Sequence, residues 1–226
     1  MPPRTHDVRC PKCGETYRAE LVDAIDATLE PALKAELLSS RLFERACPAC
    51  GARWHAARPL LYHDRAKLLL LWLHPGETTD QARSRLGPAL EGMIEPDLRP
   101  AYTMRLVRSP LDLIEKVFIF DAALSDMIIE VLKVTAAGLA PAAQGAELRF
   151  SPTHEGQLIG RELPFAVVRP GEKVGRMSVP GAHYERVAER FPGIMIAFEA
   201  AKGGPIMVDQ AFALEIIKSA AGAQGP

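Results

Sequence analysis

The residues best placed to do chemistry are four cysteines in two five-residue words, Cys10-Pro11-Lys12-Cys13-Gly14 and Cys47-Pro48-Ala49-Cys50-Gly51. We call each word a knuckle; together they form a C-x2-C-x33-C-x2-C arrangement that uses every cysteine of the chain. The spacing inside each pair lets two thiolates face one point, and the glycine supplies the backbone freedom that the turn needs. Two such pairs brought together offer four sulfurs in a tetrahedron, the set that Zn²⁺ takes in a closed structural site. The pattern therefore predicts one Zn²⁺ held by Cys10, Cys13, Cys47 and Cys50.

Two other uses of the four cysteines have to be weighed. Disulfides require an oxidising compartment, for which the sequence offers no support. Iron is the sharper alternative, because rubredoxin also builds a four-thiolate site from CPxCG knuckles. Rubredoxin-type domains are small and nearly complete in themselves, whereas this chain inserts a helical stretch between the knuckles and adds a large second part. The arrangement favours zinc and leaves iron as the alternative.

Composition narrows the class of protein. The 226 residues are 48% hydrophobic and 24% charged, which is typical of a globular chain with a real core. A net charge of -1 gives no overall attraction to nucleic acid or to an anionic membrane. The longest apolar run, from Leu68 to Leu73, is far shorter than a membrane span. The N-terminus lacks the apolar core of a secretory signal. We therefore expect a cytoplasmic protein.

Periodicity predicts an α+β fold in two domains. Residues 1–75 are predicted to form a zinc-ribbon or rubredoxin-like knuckle domain with β-hairpins and an inserted helix. Residues 76–100 are predicted to form a Pro/Gly-rich linker with room for one short helix, and 101–226 a second α+β domain. In the first domain the pattern predicts strands over 15–25, 41–46, 60–64 and 68–73, and a helix over 29–38. The last of these strands is apolar on both faces, which predicts a central strand or a subunit contact.

The second domain is predicted to hold a helical hairpin and short antiparallel strands. Ser109-Pro110-Leu111-Asp112 is a typical helix start, and a second helix follows from Leu124 to Gly138. The remaining predicted elements are strands at 102–107, 147–150, 157–159, 163–169 and 174–179, a helix at 182–191, and a closing helix that Asp209 caps and that runs to Lys218.

The doubled knuckle, the helical stretch from Leu29 to Leu38 and the sequence Tyr62-His63-Asp64 before an apolar strand resemble the CpXC family, specifically from Val8 to His74 and more loosely to Gly138. The resemblance implies a bacterial or archaeal protein with a presumed metal-binding domain whose ligands are the four cysteines. It supplies no catalytic residue.

No complete catalytic set accompanies the cysteines. His63 and Asp64 are the most tempting pair, but neighbours on a strand point to opposite faces, so an Asp that caps a turn beside an ordinary strand histidine is the better interpretation. We therefore expect a protein that is not an enzyme, but a zinc-stabilised scaffold or protein-interaction module that binds itself or another subunit. Two alternatives stay open: an iron electron carrier, and a nucleic-acid-binding regulator. The regulator would use the basic residues near the knuckles, which are Lys12, Arg41, Arg45, Arg53 and Arg58.

Overall fold

The computed structural model describes residues 3–139, 145–152, 162–169, 172–191, 193–200 and 204–222. Within these ranges the chain is an α+β protein with helices and several small sheets, as the sequence predicts. It divides into two compact units, the first made of Met1–Ile114 and Lys202–Ile206 and the second of Glu115–Ala201 and Met207–Pro226. Among the described helices, none is long and apolar enough to cross a membrane.

The first unit contains most of the strands. They are β1 (Arg4–Arg9), β2 (Thr16–Leu21), β3 (Ala24–Asp26), β4 (Glu44–Ala46), β5 (Arg53–His55), β6 (Leu60–Asp64), β7 (Leu69–Leu73) and β8 (Thr103–Val107). Its helices are α1 (Pro31–Leu38) and α2 (Thr79–Glu91), with 3-10 turns at Arg41–Phe43, Arg65–Lys67 and Pro96–Ala101. The predicted strand over 41–46 therefore begins as a turn. The turn buries the adjacent side chains of Leu42 and Phe43, which a strand would point to opposite faces.

The second unit continues with more helices. They are α3 (Pro110–Asp121, which begins in the first unit), α4 (Asp126–Leu139), α5 (Gly181–Arg190), α6 (Gly193–Ala200) and α7 (Gln210–Gly222). Its antiparallel sheet has the order β11 (Glu172–Pro180), β10 (Glu162–Arg169), β9 (Glu147–Phe150). The short strand β12 (Ile206–Met207) starts at Ile206, the last residue of the first unit, and belongs to the sheet that contains β8. The strand predicted at 157–159 lies outside the described residues.

The topology of the central sheet brings the two knuckles to the same place. Each knuckle is the tip of an antiparallel hairpin, β1–β2 for the first and β4–β5 for the second. The chain leaves the first hairpin directly into β3 and the second directly into β6, and β3 and β6 are parallel neighbours. Parallel strands are entered from the same edge of a sheet, so the two hairpins lie side by side. Such a pair also needs a crossover connection, which is why α1 lies between the knuckles.

Strand β7 is central and buried on both faces, as predicted. It pairs antiparallel with β6 and parallel with β8 in the five-stranded sheet β12-β8-β7-β6-β3. Leu70 and Leu71 point to opposite faces of the sheet, and both are 0% exposed. Both faces of the strand are therefore covered within one chain.

The segment predicted as a linker, 76–100, contains helix α2. Thr78 and Gln81 form a capping box at its start, in which Thr78 Oγ1 accepts from the Gln81 N–H and Gln81 Oε1 accepts from the Thr78 N–H. Ala82, Leu86 and Leu90, spaced four residues apart, are all buried. The division between the compact units lies further along the chain, between Ile114 and Glu115. Two of the Pro and Gly residues on which the linker prediction is based, Gly87 and Pro88, lie inside this helix.

The helix start predicted at Ser109 is confirmed by a second capping box. Ser109 Oγ accepts from the Asp112 N–H at 3.1 Å, and Asp112 Oδ2 accepts from the Ser109 N–H at 3.0 Å. At the other end of the chain, Asp209 Oδ1 accepts from two N–H groups at the start of α7, so its predicted capping role is also confirmed.

A buried ionic network joins α3 and α4 within the second unit. Lys116 Nζ lies 3.1 Å from Asp126 Oδ2 and 3.2 Å from Glu130 Oε1. Lys133 Nζ lies 3.1 Å from both Glu115 Oε1 and Glu130 Oε2. Removing one partner of such a network leaves an uncompensated buried charge, so it ties the two helices to one register. The hydrophobic periodicity of the sequence predicts the two helices but does not predict the ion pairs between them.

The buried faces of β7 can be tested separately. Leu70→Asp and Leu71→Asp each place an unpaired carboxylate where no water reaches, and we expect each to lower the free energy of unfolding by several kcal/mol. Leu98→Asp is the matched control, because Leu98 is 50% exposed. The measurement is the urea midpoint of the three variants. If the Leu70 or the Leu71 variant has the same urea midpoint as the Leu98 variant, that face of β7 is accessible to water and the prediction is wrong.

Candidate metal centre

The two knuckles adopt the same backbone turn. In the first, the Gly14 N–H donates to the Cys10 carbonyl at 3.0 Å, and in the second the Gly51 N–H donates to the Cys47 carbonyl at 2.9 Å. The φ angles of Gly14 and Gly51 are 77° and 67°, in the left-handed region that favours glycine. The repeated word therefore builds one local structure twice, and the glycine is needed in both copies.

The four sulfur atoms meet at one point. All four Sγ atoms lie within 4.8 Å of one another. Across the knuckles, Cys10 Sγ lies 3.8 Å from Cys50 Sγ and Cys13 Sγ lies 3.7 Å from Cys47 Sγ, and none of the four is in a disulfide. A tetrahedral ion with Zn–S bonds of about 2.3 Å would hold its sulfurs about 3.8 Å apart. The cluster has the ligands and the spacing of a four-thiolate metal site, so it could bind a metal ion.

The surroundings of Cys10 favour its thiolate. The backbone N–H of Cys13 donates to the Cys10 sulfur and is the largest cause of a pKa lowered to about 6; burial opposes it, and the Lys12 N–H acts in the same direction. The backbone N–H of Glu15 donates to the Cys13 sulfur and lowers its pKa, but partial desolvation by the surrounding atoms and the three neighbouring thiols together raise the pKa to about 12. Four thiols so close together resist losing all their protons, because each new negative charge repels the others. A divalent cation removes that repulsion, which is why this donor set fits a metal.

The second cysteine of each knuckle faces solvent. Cys10 and Cys47 are 1% and 3% exposed, whereas Cys13 and Cys50 are exposed. The site is therefore sheltered on the side of the hairpins and open on the side of the knuckle tips.

Two contacts within the first unit hold the hairpins in place. Tyr17 on β2 and Trp54 on β5 meet edge to face, with ring centroids 6.4 Å apart. At the base of the hairpins, Arg58 Nη2 donates to Asp23 Oδ1 at 2.6 Å, and His6 Nε2 lies 3.1 Å from Asp23 Oδ2. We call His6, Asp23 and Arg58 the hairpin clamp, because they come from β1, from the link between β2 and β3, and from the link between β5 and β6.

The sequence gives little sign of the hairpin clamp. His6 lies 17 residues before Asp23 and Arg58 lies 35 residues after it, and no sequence motif connects the three. Arg58, proposed from the sequence as part of a basic face, is instead committed to Asp23. Of the other residues of that face, Arg45 is half-buried, and Lys12, Arg41 and Arg53 are exposed.

The His63 and Asp64 pair behaves as the sequence predicts. Asp64 Oδ1 accepts from the Lys67 N–H at 3.2 Å and so caps the turn between β6 and β7. His63 Nε2 lies 2.9 Å from the Tyr102 hydroxyl, and burial lowers the pKa of His63. The two side chains serve different partners, and no histidine joins the metal-ligand group formed by the described residues. His154 lies outside those residues.

Loss of the hairpin clamp should weaken the fold around the centre. Asp23→Asn removes the charge that pairs with Arg58, whose side chain is only 20% exposed, and we expect a loss of about 1.5–3 kcal/mol of unfolding free energy in the metal-loaded protein. Asp80→Asn is the matched control, since the Asp80 side chain is 94% exposed and its pair with Arg83 spans 3.7 Å; it should change stability by less than about 0.5 kcal/mol. Denaturant unfolding measures the loss of unfolding free energy in both variants. Equal losses would mean that the hairpin clamp does not stabilise the fold.

The family of the chain can now be stated. A family model described as CpXC protein matches residues 8–133, which is more than half of the chain and includes both knuckles. No curated protein and no solved structure matches the chain. With four cysteines meeting at one point inside the matched region, the chain belongs to the CpXC family.

Proposed function

We propose that this protein is a zinc-stabilised scaffold or protein-interaction module, and not an enzyme, in which one structural Zn²⁺ is held by Cys10, Cys13, Cys47 and Cys50. The observation that carries the proposal is the meeting of four free sulfurs at the spacing of a tetrahedral thiolate site. Four thiolates fill the coordination of Zn²⁺ and leave no position for water, so such an ion stabilises structure and does not activate a nucleophile.

The hairpins are so small that a bound metal would be needed to stabilise them. Each knuckle hairpin has two strands, and the second has strands of only three residues, Glu44–Ala46 and Arg53–His55. An isolated two-stranded hairpin is marginally stable in water. Structural Zn²⁺ supplies on the order of 10–16 kcal/mol of apparent binding free energy in zinc-finger peptides. The ion would thus supply stability that these short strands lack, and leave a rigid, largely exposed hairpin surface for a protein partner.

The nucleic-acid alternative has weaker support. Arg58 is paired with Asp23, and the exposed basic residues alternate with acidic ones such as Glu15, Glu20 and Glu44. A mixed surface of this kind lacks the dense positive charge that phosphate binding needs. A reducing compartment such as the cytoplasm keeps four thiolates available for a metal, so we place the protein there.

Replacing one ligand tests the metal's identity and role. Cys47→Ser should abolish stoichiometric zinc and unfold the two hairpins, while far-UV circular dichroism still reports helices such as α4 and α5. Ala49→Ser, an exposed change inside the same knuckle, is the control and should keep the metal. Elemental analysis of freshly purified protein is the readout. Stoichiometric iron with a red colour, or protein purified without any metal, would contradict the zinc proposal.

The kind of partner is tested by salt dependence. A protein-interaction module should pass through heparin and duplex DNA columns at low salt. Retention that falls steeply between about 50 and 200 mM salt is the behaviour of a protein that neutralises phosphates. Such retention would favour the nucleic-acid regulator instead, and sedimentation of the same preparation would show whether the chain associates with itself.

A further inference from the structure

We propose that the four-cysteine centre is also an oxidation site, at which a hydroperoxide forms disulfides across the knuckles, Cys13 with Cys47 and Cys10 with Cys50, and so ejects the metal. The inference rests on the proposed zinc site. It names a chemistry for the same residues beyond structural metal binding.

The four cysteines differ in solvent exposure, and the exposed ones react first with a dissolved oxidant. Cys13 and Cys50 face solvent, whereas Cys10 and Cys47 are almost fully buried. A small dissolved oxidant therefore reaches one sulfur in each knuckle first. Oxidation of cysteine follows access and thiolate character, and a metal-bound sulfur is already a thiolate.

The distances between sulfur atoms indicate which second sulfur forms the disulfide with each exposed one. The exposed Cys13 has the sheltered Cys47 at 3.7 Å, and the exposed Cys50 has the sheltered Cys10 at 3.8 Å. A disulfide bond of about 2.05 Å requires each pair to close by less than about 2 Å. Each exposed sulfur thus has a resolving sulfur on the other knuckle.

The chemistry balances with one hydroperoxide for each disulfide. With hydrogen peroxide, the Cys13 thiolate attacks one peroxide oxygen, the O–O bond breaks, hydroxide leaves and Cys13 becomes a sulfenic acid. The Cys47 thiolate then attacks that sulfur, the S–S bond forms, the S–O bond breaks and a second hydroxide leaves. Two thiolates have lost two electrons, and the hydroperoxide has gained them. Only Cys10 and Cys50 would then remain as thiolates able to hold a Zn²⁺, and the same two steps between Cys50 and Cys10 would remove these ligands as well.

The pairing matters because it links the two hairpins. A disulfide between Cys13 and Cys47 joins the β1–β2 hairpin to the β4–β5 hairpin, as the metal does. Disulfides within a knuckle would leave the hairpins unconnected. The cross-knuckle bonds would therefore release the metal while the hairpins stay together, and thiol reductants would reverse the change.

The test uses the zinc-loaded full chain, whose metal content is measured first. Hydrogen peroxide is added with a chromogenic zinc chelator present, remaining thiols are alkylated, and disulfides are mapped by mass spectrometry. We expect loss of one zinc per chain and recovery of Cys13–Cys47 and Cys10–Cys50 out of three possible pairings, with zinc rebinding after reduction. The matched control is the same oxidation of metal-free chain in guanidinium, where the short loops favour Cys10–Cys13 and Cys47–Cys50.

Two results would overturn the inference. One is a folded protein whose disulfides form mainly within the knuckles or in the third pairing. The other is zinc that stays bound at peroxide concentrations that fully oxidise glutathione. If the starting protein holds no zinc, the proposed function fails, whereas the disulfide map of the folded chain still tests the pairing by itself.

Discussion

Mutual repulsion among four sulfurs is the constraint on which the rest of the first unit depends. The Sγ atoms lie within 4.8 Å of one another, and the neighbouring thiols help to raise the pKa of Cys13 to about 12. Cys10 loses its proton easily, but the cluster as a whole resists losing all four protons, so its sulfurs suit a cation that offsets their negative charge. The N–H bonds to the Cys10 and Cys13 sulfurs prepare the thiolate form for that cation. If the proposed Zn²⁺ is bound, its binding and the folding of the hairpins would be coupled.

The sheet provides the geometry that brings the sulfurs together. Because β3 and β6 run parallel as neighbours, the hairpins that precede them must enter from the same edge. The hairpin clamp fixes their bases there, with Asp23 between His6 and Arg58. The 33 residues between Cys13 and Cys47 are more than a spacer, since they include α1 and the crossover that a parallel pair requires.

Much of this could be predicted from local pattern. The knuckle words predict the sulfur cluster, the apolar run predicts the buried strand β7, and Ser109 and Asp112 predict the start of α3. What the sequence does not reveal is long-range pairing: the parallel neighbours β3 and β6 and the hairpin clamp join residues that no periodicity connects. The sequence does not predict strand β1, because five of its six residues are polar and four of the six side chains are exposed. Helix α6 was missed because Pro192-Gly193 reads as the end of a helix when Gly193 in fact begins the next one.

X-ray absorption at the metal edge tests the central claim most directly, because it identifies the metal and counts its ligands in one experiment. For freshly purified full-length chain the account predicts a zinc edge and a single shell of four sulfurs at about 2.3 Å. A shell that mixes sulfur with nitrogen or oxygen, or an iron edge of full occupancy, would contradict it.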